Sequence, residues 1–189
     1  KNLQEHNLYL KGYKDSSFFY VNRELTTAQY GVLLSMSRTL RRISIAPRNI
    51  VPRFLSELET LYNLHLPFLQ LQSLPVGLDR LLNLTTLNLQ GNKLRTFPPC
   101  ITSMTRLAHL YLGSNEIESI PDSISRLSRL KKFHIERNRI RDVNDAVYDC
   151  LKLTELCLSE NRITEIRDAK RAMKAAKKSV KEVKATGSR

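Results

Sequence analysis

The segment LTTLNLQGNKL, residues 84–94, decides the fold because its pattern of leucines recurs along the chain. Steps of 23 residues from Leu84, Leu87, Leu89, Asn92 and Leu94 reach an apolar residue or an asparagine each time, for three steps forward. One step backward reaches Leu61, and a further copy begins 21 residues earlier at Leu40. The chain therefore contains six similar units, starting near residues 40, 61, 84, 107, 130 and 153. A period of this length indicates a repeat architecture in which neighbouring units share one core.

The second half of the unit repeats as well. An apolar residue followed by proline occurs at 74–75, 97–98 and 120–121, and two more apolar residues follow each pair at helical spacing. Alternating L-x-L predicts a short strand with one buried face. The asparagine predicts hydrogen bonds to backbone groups as the chain turns, and the proline an extended turn. The I-x-x-L segment predicts a short helix or 3₁₀ turn behind the strand.

These positions resemble the leucine-rich repeat family in its 23-residue form, across residues 40–166. The resemblance implies an α/β solenoid: a curved, parallel sheet on the concave side, with short helices or 3₁₀ turns on the convex side. Arg48 and Leu69 stand at the asparagine position of the first two units and depart from the pattern.

Residues 1–39 lie outside the repeats and are interpreted as an N-terminal cap. Leu8–Tyr13 and Phe18–Val21 favour short strands, and a helix is expected from Thr26 or Thr27 to about Arg38. A cap of this kind covers the apolar end of a solenoid.

Residues 167–189 form a basic tail, with nine Lys or Arg against two acids. The stretch Asp168–Ala185 lacks Gly and Pro and spaces its apolar residues as an amphipathic helix does. This helix could cap the last repeat, bind a partner helix or an acidic surface, or lie along RNA or an anionic membrane. The candidate contacts for RNA or an acidic surface are Lys170, Arg171, Lys174, Lys177, Lys178, Lys181 and Lys184.

The geometry of the family implies that a partner would bind the concave face. There the central exposed column should contain Ser44, His65, Asn88, Tyr111, His134 and Cys157. Exposed aromatic residues flanked by Arg are typical of binding hot spots. The predicted partner-binding residues are His65, Phe68, Asn88, His109, Tyr111, Lys131, Lys132, His134 and Arg137.

Phe68 has two interpretations. Its counterparts in the following units are Gly91, Ser114 and Arg137, so an exposed ring there would be an anchor for a partner. Alternatively, the ring folds over the irregular second unit and replaces the missing asparagine contact.

No catalytic motif is evident: the chain has neither a Gly-rich phosphate loop nor a G-x-S-x-G or H-E-x-x-H sequence. Cys157 and His134 are expected on neighbouring strands, but an open sheet does not exclude water from such a pair. His109 and His134 lack an evident third metal ligand. The sequence therefore predicts a non-enzymatic protein without a metal site or cofactor.

The predicted function is a protein-interaction scaffold or adaptor. The alternative is a structural subunit of a ribonucleoprotein or another large assembly, favoured by the net charge of +13. Neither a small-molecule substrate nor a membrane span is expected. Three cysteines without a C-x-x-C pair favour a reducing, intracellular compartment. The cytoplasm is predicted, or the mitochondrion if a targeting segment was removed.

Overall fold

The computed structural model describes residues 18–21, 40–45, 51, 53–163 and 182–184. Within them the chain forms one parallel sheet whose eight strands follow each other in sequence order. The strands are β1 (Phe18–Val21), β2 (Arg42–Ile45), β3 (Asn63–His65), β4 (Thr86–Asn88), β5 (His109–Tyr111), β6 (Lys132–His134), β7 (Glu155–Cys157) and β8 (Glu182–Lys184). Each strand therefore pairs only with the strands before and after it, as in a solenoid.

The register of the sheet reproduces the sequence period. From β3 to β7, paired residues lie 23 positions apart, as in Leu87 with Leu110. Between β2 and β3 the step is 21 positions, so Ile43 pairs with Leu64. The predicted parallel sheet of a solenoid is confirmed.

Burial alternates along each three-residue strand. In β5, Leu110 is fully buried, whereas His109 and Tyr111 on either side are half-buried. Most leucines of the repeat pattern, including Leu84, Leu107 and Leu112, are also fully buried and form one continuous core, against which Leu71 and Leu158 are partly buried. A side chain that points from the strand into this core is removed from water by its own unit and by its neighbours.

A ladder of asparagines closes the turn that follows each strand from β4 to β7. Asn115 Oδ1 accepts a hydrogen bond from the amide of Leu94 at 3.1 Å, and its Nδ2 donates to the carbonyls of Leu89 and Leu112. Each bond either reaches the preceding unit or closes the asparagine's own turn, so the amide satisfies backbone groups that water cannot reach. The same contacts recur at Asn92, Asn138 and Asn161.

The second unit, which has Leu69 in place of asparagine, is closed from the next unit. Asn92 Oδ1 accepts hydrogen bonds from the amides of both Leu69 and Leu71, at 3.1 and 3.0 Å. Gln70 between them takes a positive φ of 59°. The departure from the asparagine pattern therefore changes the local backbone, but both amides find an acceptor.

One position in each unit adopts the left-handed backbone region. Its φ angle lies between 54° and 71° in five successive units, at Phe68, Gly91, Ser114, Arg137 and Glu160. This conformation is uncommon for residues other than glycine because the Cβ atom crowds the following carbonyl. It turns the chain away from the sheet, and only Gly91 adopts it without that strain.

The convex side of the described solenoid consists of 3₁₀ helices. They occupy Arg53–Glu57, Leu78–Arg80, Pro99–Ser103, Asp122–Arg126 and Asp145–Val147. Pro98 and Pro121 precede two of them in extended conformation, with ψ angles of 119° and 153°. Asn144 takes the proline's place in the next unit, at ψ 161°, and donates to the Ile120 carbonyl. Of the two predicted forms, short helix or 3₁₀ turn, the described chain uses the second.

The two ends agree with the sequence predictions in part. The predicted strand Phe18–Val21 is confirmed as β1, parallel to β2. The strand predicted at Leu8–Tyr13 and the helix predicted to end near Arg38 lie outside the described residues. So does most of the helix predicted over Asp168–Ala185.

The helix prediction is wrong for Glu182–Lys184, which form strand β8 along β7. The edge of β7 presents unpaired backbone amides and carbonyls, and a parallel strand satisfies them. A local helical pattern does not reveal such a long-range partner.

Candidate functional site

The exposed face of the sheet carries two parallel columns of side chains, fixed by the strand register. The central column consists of Ser44, His65, Asn88, Tyr111, His134 and Cys157. The first column, at the start of each strand, consists of Arg42, Asn63, Thr86, His109, Lys132 and Glu155. Neighbouring strands lie about 4.8 Å apart, so side chains within a column touch or nearly touch.

The structure brings the predicted partner-binding residues onto this face. His65, Asn88, Tyr111 and His134 lie in the central column, and His109 and Lys132 in the first. Lys131 lies directly before β6. Phe68 and Arg137 take the left-handed position beyond the strands, which is called here the rim. These predicted residues therefore lie on one face of the sheet and its rim. Their role in binding stays a prediction.

Glu155, in β7, joins the two columns. Its Oε2 lies 2.7 Å from Lys132 Nζ, and its Oε1 lies 2.7 Å from His134 Nε2. The hydrogen bond from Lys132, followed by that from His134, lowers the pKa of the Glu155 carboxyl group. Glu155 also raises the pKa of Lys132. A negative charge therefore sits between two donors and fixes both of them on the surface.

Tyr111 packs edge-on against His134, with ring centroids 5.0 Å apart. Both side chains are half-buried. Because the His134 ring is held on one side by Tyr111 and at Nε2 by Glu155, its orientation is fixed before any ligand arrives.

The other two histidines of the sheet have a weakened affinity for protons. Burial, and then the charge of Arg42, lowers the pKa of His65. Burial, followed by the charges of Lys132 and Lys131, lowers the pKa of His109. These imidazoles are therefore neutral near pH 7 and act as hydrogen-bonding groups on the surface.

Phe68 does not replace the missing asparagine contact, because Asn92 supplies it. The ring lies over Gly91 of the next unit, so closely that a side chain at Gly91 would collide with it. Nevertheless, Phe68 remains 51% exposed. The contact with Gly91 restrains one side of the ring, and its role as an anchor for a partner stays a prediction.

Tyr62 lies directly before β3 and is 43% exposed. The guanidinium group of Arg41 lies over its ring, 5.6 Å from the centroid. Such a cation–π contact restrains an aromatic side chain at the surface.

The rim of the last two units carries charge. Arg137 Nε and Glu160 Oε1 lie 3.0 Å apart, and both side chains are mostly exposed. On the adjacent turns, Glu116 Oε2 lies 3.0 Å from Arg139 and 3.6 Å from Arg95. Exposed pairs of this kind contribute little stability, so their main effect is on the surface potential.

His134, Glu136 and Cys157 form a cluster that the sequence analysis did not assemble. One potential ligand atom of each lies within 4.8 Å of the others, and all three side chains are half-buried. The alternation of side chains along a strand places Glu136 on the same face as His134. The 23-residue period places Cys157 beside His134 on the next strand. The two rules together could have found this group. The sequence alone indicated only two pairs, His134 with His109 for a metal and His134 with Cys157 for nucleophilic chemistry.

Most of the basic tail lies outside the described residues, namely Lys170, Arg171, Lys174, Lys177, Lys178 and Lys181. Lys184 is in β8, in register with Cys157. Of the helices that the structure describes, none is long and apolar enough to cross a membrane.

Stacked 23-residue units, a parallel sheet and a buried asparagine ladder define a repeat solenoid. Two family models match the sequence, one for leucine-rich repeats over residues 105–163 and one for two copies of the repeat over residues 82–126. Residues 82–163 of the chain therefore consist of leucine-rich repeats, as the sequence predicted. No curated protein sequence matches it significantly.

Solved structures show the same fold. A leucine-rich repeat protein of Leptospira interrogans has a TM-score of 0.67 and 24% identity over 80% of this chain. Internalin C2 of Listeria monocytogenes has a TM-score of 0.67 and 20% identity over 80%, and an internalin F of the same organism has 0.61 and 18% over 83%. The matched region covers 38%, 64% and 51% of these chains respectively. At these identities the likeness concerns the fold alone.

Proposed function

We propose that this protein is a non-catalytic scaffold that binds a protein partner on the concave face of its repeats. Leucine-rich repeat proteins are in general protein-binding scaffolds rather than enzymes. The observation that carries the proposal is Phe68, an aromatic ring that is half exposed and yet fixed against Gly91. A rigid, exposed ring buries a large area on binding and loses little conformational entropy.

Further aromatic residues extend this surface along the sheet. Tyr62 is held by Arg41 at one end, and Tyr111 is held by His134 near the other. Tyr and Arg are enriched among residues that dominate protein–protein binding energy. Their contacts within the chain support a preorganised binding face.

The charges of the face favour a protein partner. Arg41 and Arg42 lie at the start of the described repeats, whereas Glu155 and Glu160 lie at their end. Lys132 and Arg137 are already paired with these carboxylates. A nucleic acid requires a continuous positive track, which these acidic residues interrupt.

The proposal is tested by affinity capture from cell extract, followed by measured binding of the captured protein. Phe68→Ala and Tyr111→Ala should each weaken the affinity by about tenfold or more, the range expected for hot spots. Leu151→Ala is the matched control, because Leu151 is 76% exposed but lies outside the sheet. Capture that survives nuclease and moderate salt but is unaffected by both concave variants would refute the proposed surface.

The alternative of a ribonucleoprotein subunit rests on the net charge of +13 and on the basic tail. Only Lys184 of that tail's candidate contacts lies in the described chain. If captured RNA were lost on nuclease treatment or at higher salt, the alternative would gain support over the scaffold. We also propose an intracellular location, because the chain has three cysteines and no C-x-x-C pair.

A further inference from the structure

We propose that His134, Glu136 and Cys157 form a binding site for Zn²⁺ on the concave face, between β6 and β7. The three residues come from β6, the turn after it, and β7, and their ligand atoms lie within 4.8 Å of one another. The proposal concerns metal binding by this chain and holds whether or not the face also binds a protein.

The ligand types favour zinc over Mg²⁺ and Ca²⁺. Imidazole, carboxylate and thiolate are all zinc ligands, whereas Mg²⁺ and Ca²⁺ take oxygen ligands. Bonds of about 2.0–2.3 Å in tetrahedral geometry place ligand atoms roughly 3.5 Å apart. Ligand atoms within 4.8 Å of one another would have to approach by about 1 Å, which side-chain rotation would supply.

Glu155 provides the outer-shell contact that zinc-binding histidines usually have. Its Oε1 accepts a hydrogen bond from His134 Nε2 at 2.7 Å, so Nδ1 of the neutral imidazole would be the nitrogen that binds the metal. Lys132 holds the other oxygen of the same carboxylate at 2.7 Å. The Glu155 carboxylate would then fix the orientation of the His134 ring, and the ring would bind the metal.

Glu136 supplies an independent observation. Its Oε2 atom is screened from solvent and has no hydrogen-bond partner among the described residues. Burying a carboxylate oxygen without a donor is unfavourable, and a cation would remove that cost. The carboxylate lies over Gly113, where any side chain would collide with it. Gly113 thereby allows Glu136 to approach the other two ligands.

Three protein ligands leave one position of a tetrahedral zinc ion open. That position would face the solvent side of the sheet and be filled by water. Binding replaces the proton of the Cys157 thiol by a zinc–sulfur bond and releases that proton to solvent. The affinity should therefore rise with pH.

The test uses the full chain without a polyhistidine tag, reduced with a phosphine, and titrates it with Co²⁺ followed by Zn²⁺. We expect one Co²⁺ per chain, a near-ultraviolet thiolate-to-cobalt charge-transfer band, and loss of that band when Zn²⁺ is added. A titration without the band would overturn the proposal.

Matched variants locate the site. Cys157→Ser should abolish the band and His134→Ala should weaken binding by tenfold or more, whereas Cys100→Ser and His109→Ala should leave both unchanged. Glu155→Gln should weaken binding by about 10- to 100-fold, the usual effect of an outer-shell partner. Gly113→Ala should weaken it by displacing Glu136.

Circular dichroism of each variant establishes that it is folded. A band that persists in folded Cys157→Ser, or disappears in Cys100→Ser, would place the metal elsewhere. Equally weak binding by all variants would show an adventitious ion only, and the proposal would be wrong.

Discussion

At the residue scale, each asparagine of the ladder joins two units through a few hydrogen bonds. Asn115 is the acceptor for the Leu94 amide, and replacement by alanine leaves that buried amide without an acceptor. The carbonyls of Leu89 and Leu112 keep one donor each, from Asn92 and Asn138. We therefore expect Asn115→Ala to lower the free energy of unfolding by about 1–3 kcal/mol, as one orphaned group would.

Chemical denaturation measures this change. Asn83→Ala is the control, because the hydrogen bonds of Asn83 to Glu59 and Arg106 lie at the surface, where water can replace them. Equal losses of stability in the two variants would show that the ladder contributes nothing beyond an exposed contact.

The contact between Phe68 and Gly91 gives a second prediction. A methyl group at Gly91 collides with the ring and must also adopt a φ angle of 71°. Gly91→Ala should cost about 2 kcal/mol in the wild-type background, from overpacking and backbone strain together. In a Phe68→Ala background only the strain remains, about 1 kcal/mol. A double-mutant cycle measures the coupling, and additive changes would contradict the contact.

His65 gives a prediction about pH. Burial, and then Arg42, lowers its folded-state pKa below the ordinary 6.5, so the unfolded chain binds the proton more tightly. The free energy of unfolding should therefore fall as the pH drops through about 6.5, and this loss is complete below the folded-state pKa.

An NMR titration of the His65 imidazole measures the pKa directly. Urea unfolding at about pH 7 and about pH 5 should show a smaller loss in His65→Gln than in the wild type. A titration midpoint at or above the ordinary value would show that the ring is not shielded by the fold.

At this scale the sequence predicted the positions but not all of the contacts. The period assigned His134 and Cys157 to one column because register follows directly from repeat length. It did not reveal that Glu155 binds His134 or that Glu136 has an unpaired oxygen, because those depend on side-chain rotamers. Phe68 could not be settled either, since its ring is both packed and exposed.

At the scale of the element, the strands are too short to be stable alone, and each strand from β3 to β7 depends on one buried residue. In β5 that residue is Leu110, and Leu110→Ala should cost about 2–5 kcal/mol through lost contacts and a cavity. Tyr111→Ala, at the next position, should cost less than about 1 kcal/mol because the ring points out of the core.

Thermal unfolding of the two variants distinguishes the faces of the strand. If the melting temperature fell as far for Tyr111→Ala as for Leu110→Ala, the assignment of buried and exposed faces would be wrong. The same Tyr111 variant is expected to lose partner affinity, so its folded state is a necessary control for the binding experiment.

The elements also show where local pattern fails. Inside the repeats, strand and 3₁₀ segments recur at fixed positions, so each unit supports the assignment of the others. Glu182–Lys184 lie outside the period, and their helical spacing competed with an unpaired strand edge in β7. Tertiary pairing overrides helix propensity in such a segment, and a single sequence does not contain that information.

At the scale of the whole molecule, each described unit contacts the units before and after it. The number of units can therefore change without any change in the core residues of the remaining units. Deleting residues 107–129 removes one complete period and should pair β4 with β6 in the native register. We expect this shortened chain to fold. Its circular dichroism spectrum should have the same shape as that of the wild type, and its denaturation midpoint should be lower.

Deleting only residues 107–118 provides the control, since it removes a strand but keeps the convex half of the same unit. That variant should lose the cooperative transition, because the remaining half has no strand to pack against. A cooperative transition in it would contradict the unit boundaries.

Because of the register, the length of the concave face is proportional to the number of repeat units. Five strand spacings separate Ser44 from Cys157, a distance of about 24 Å along the column. Each unit gained or lost would change that reach by about 4.8 Å and leave every other side chain in its place. Recombination between repeats could therefore adjust the size of the partner that fits in discrete steps, without a new core having to evolve each time.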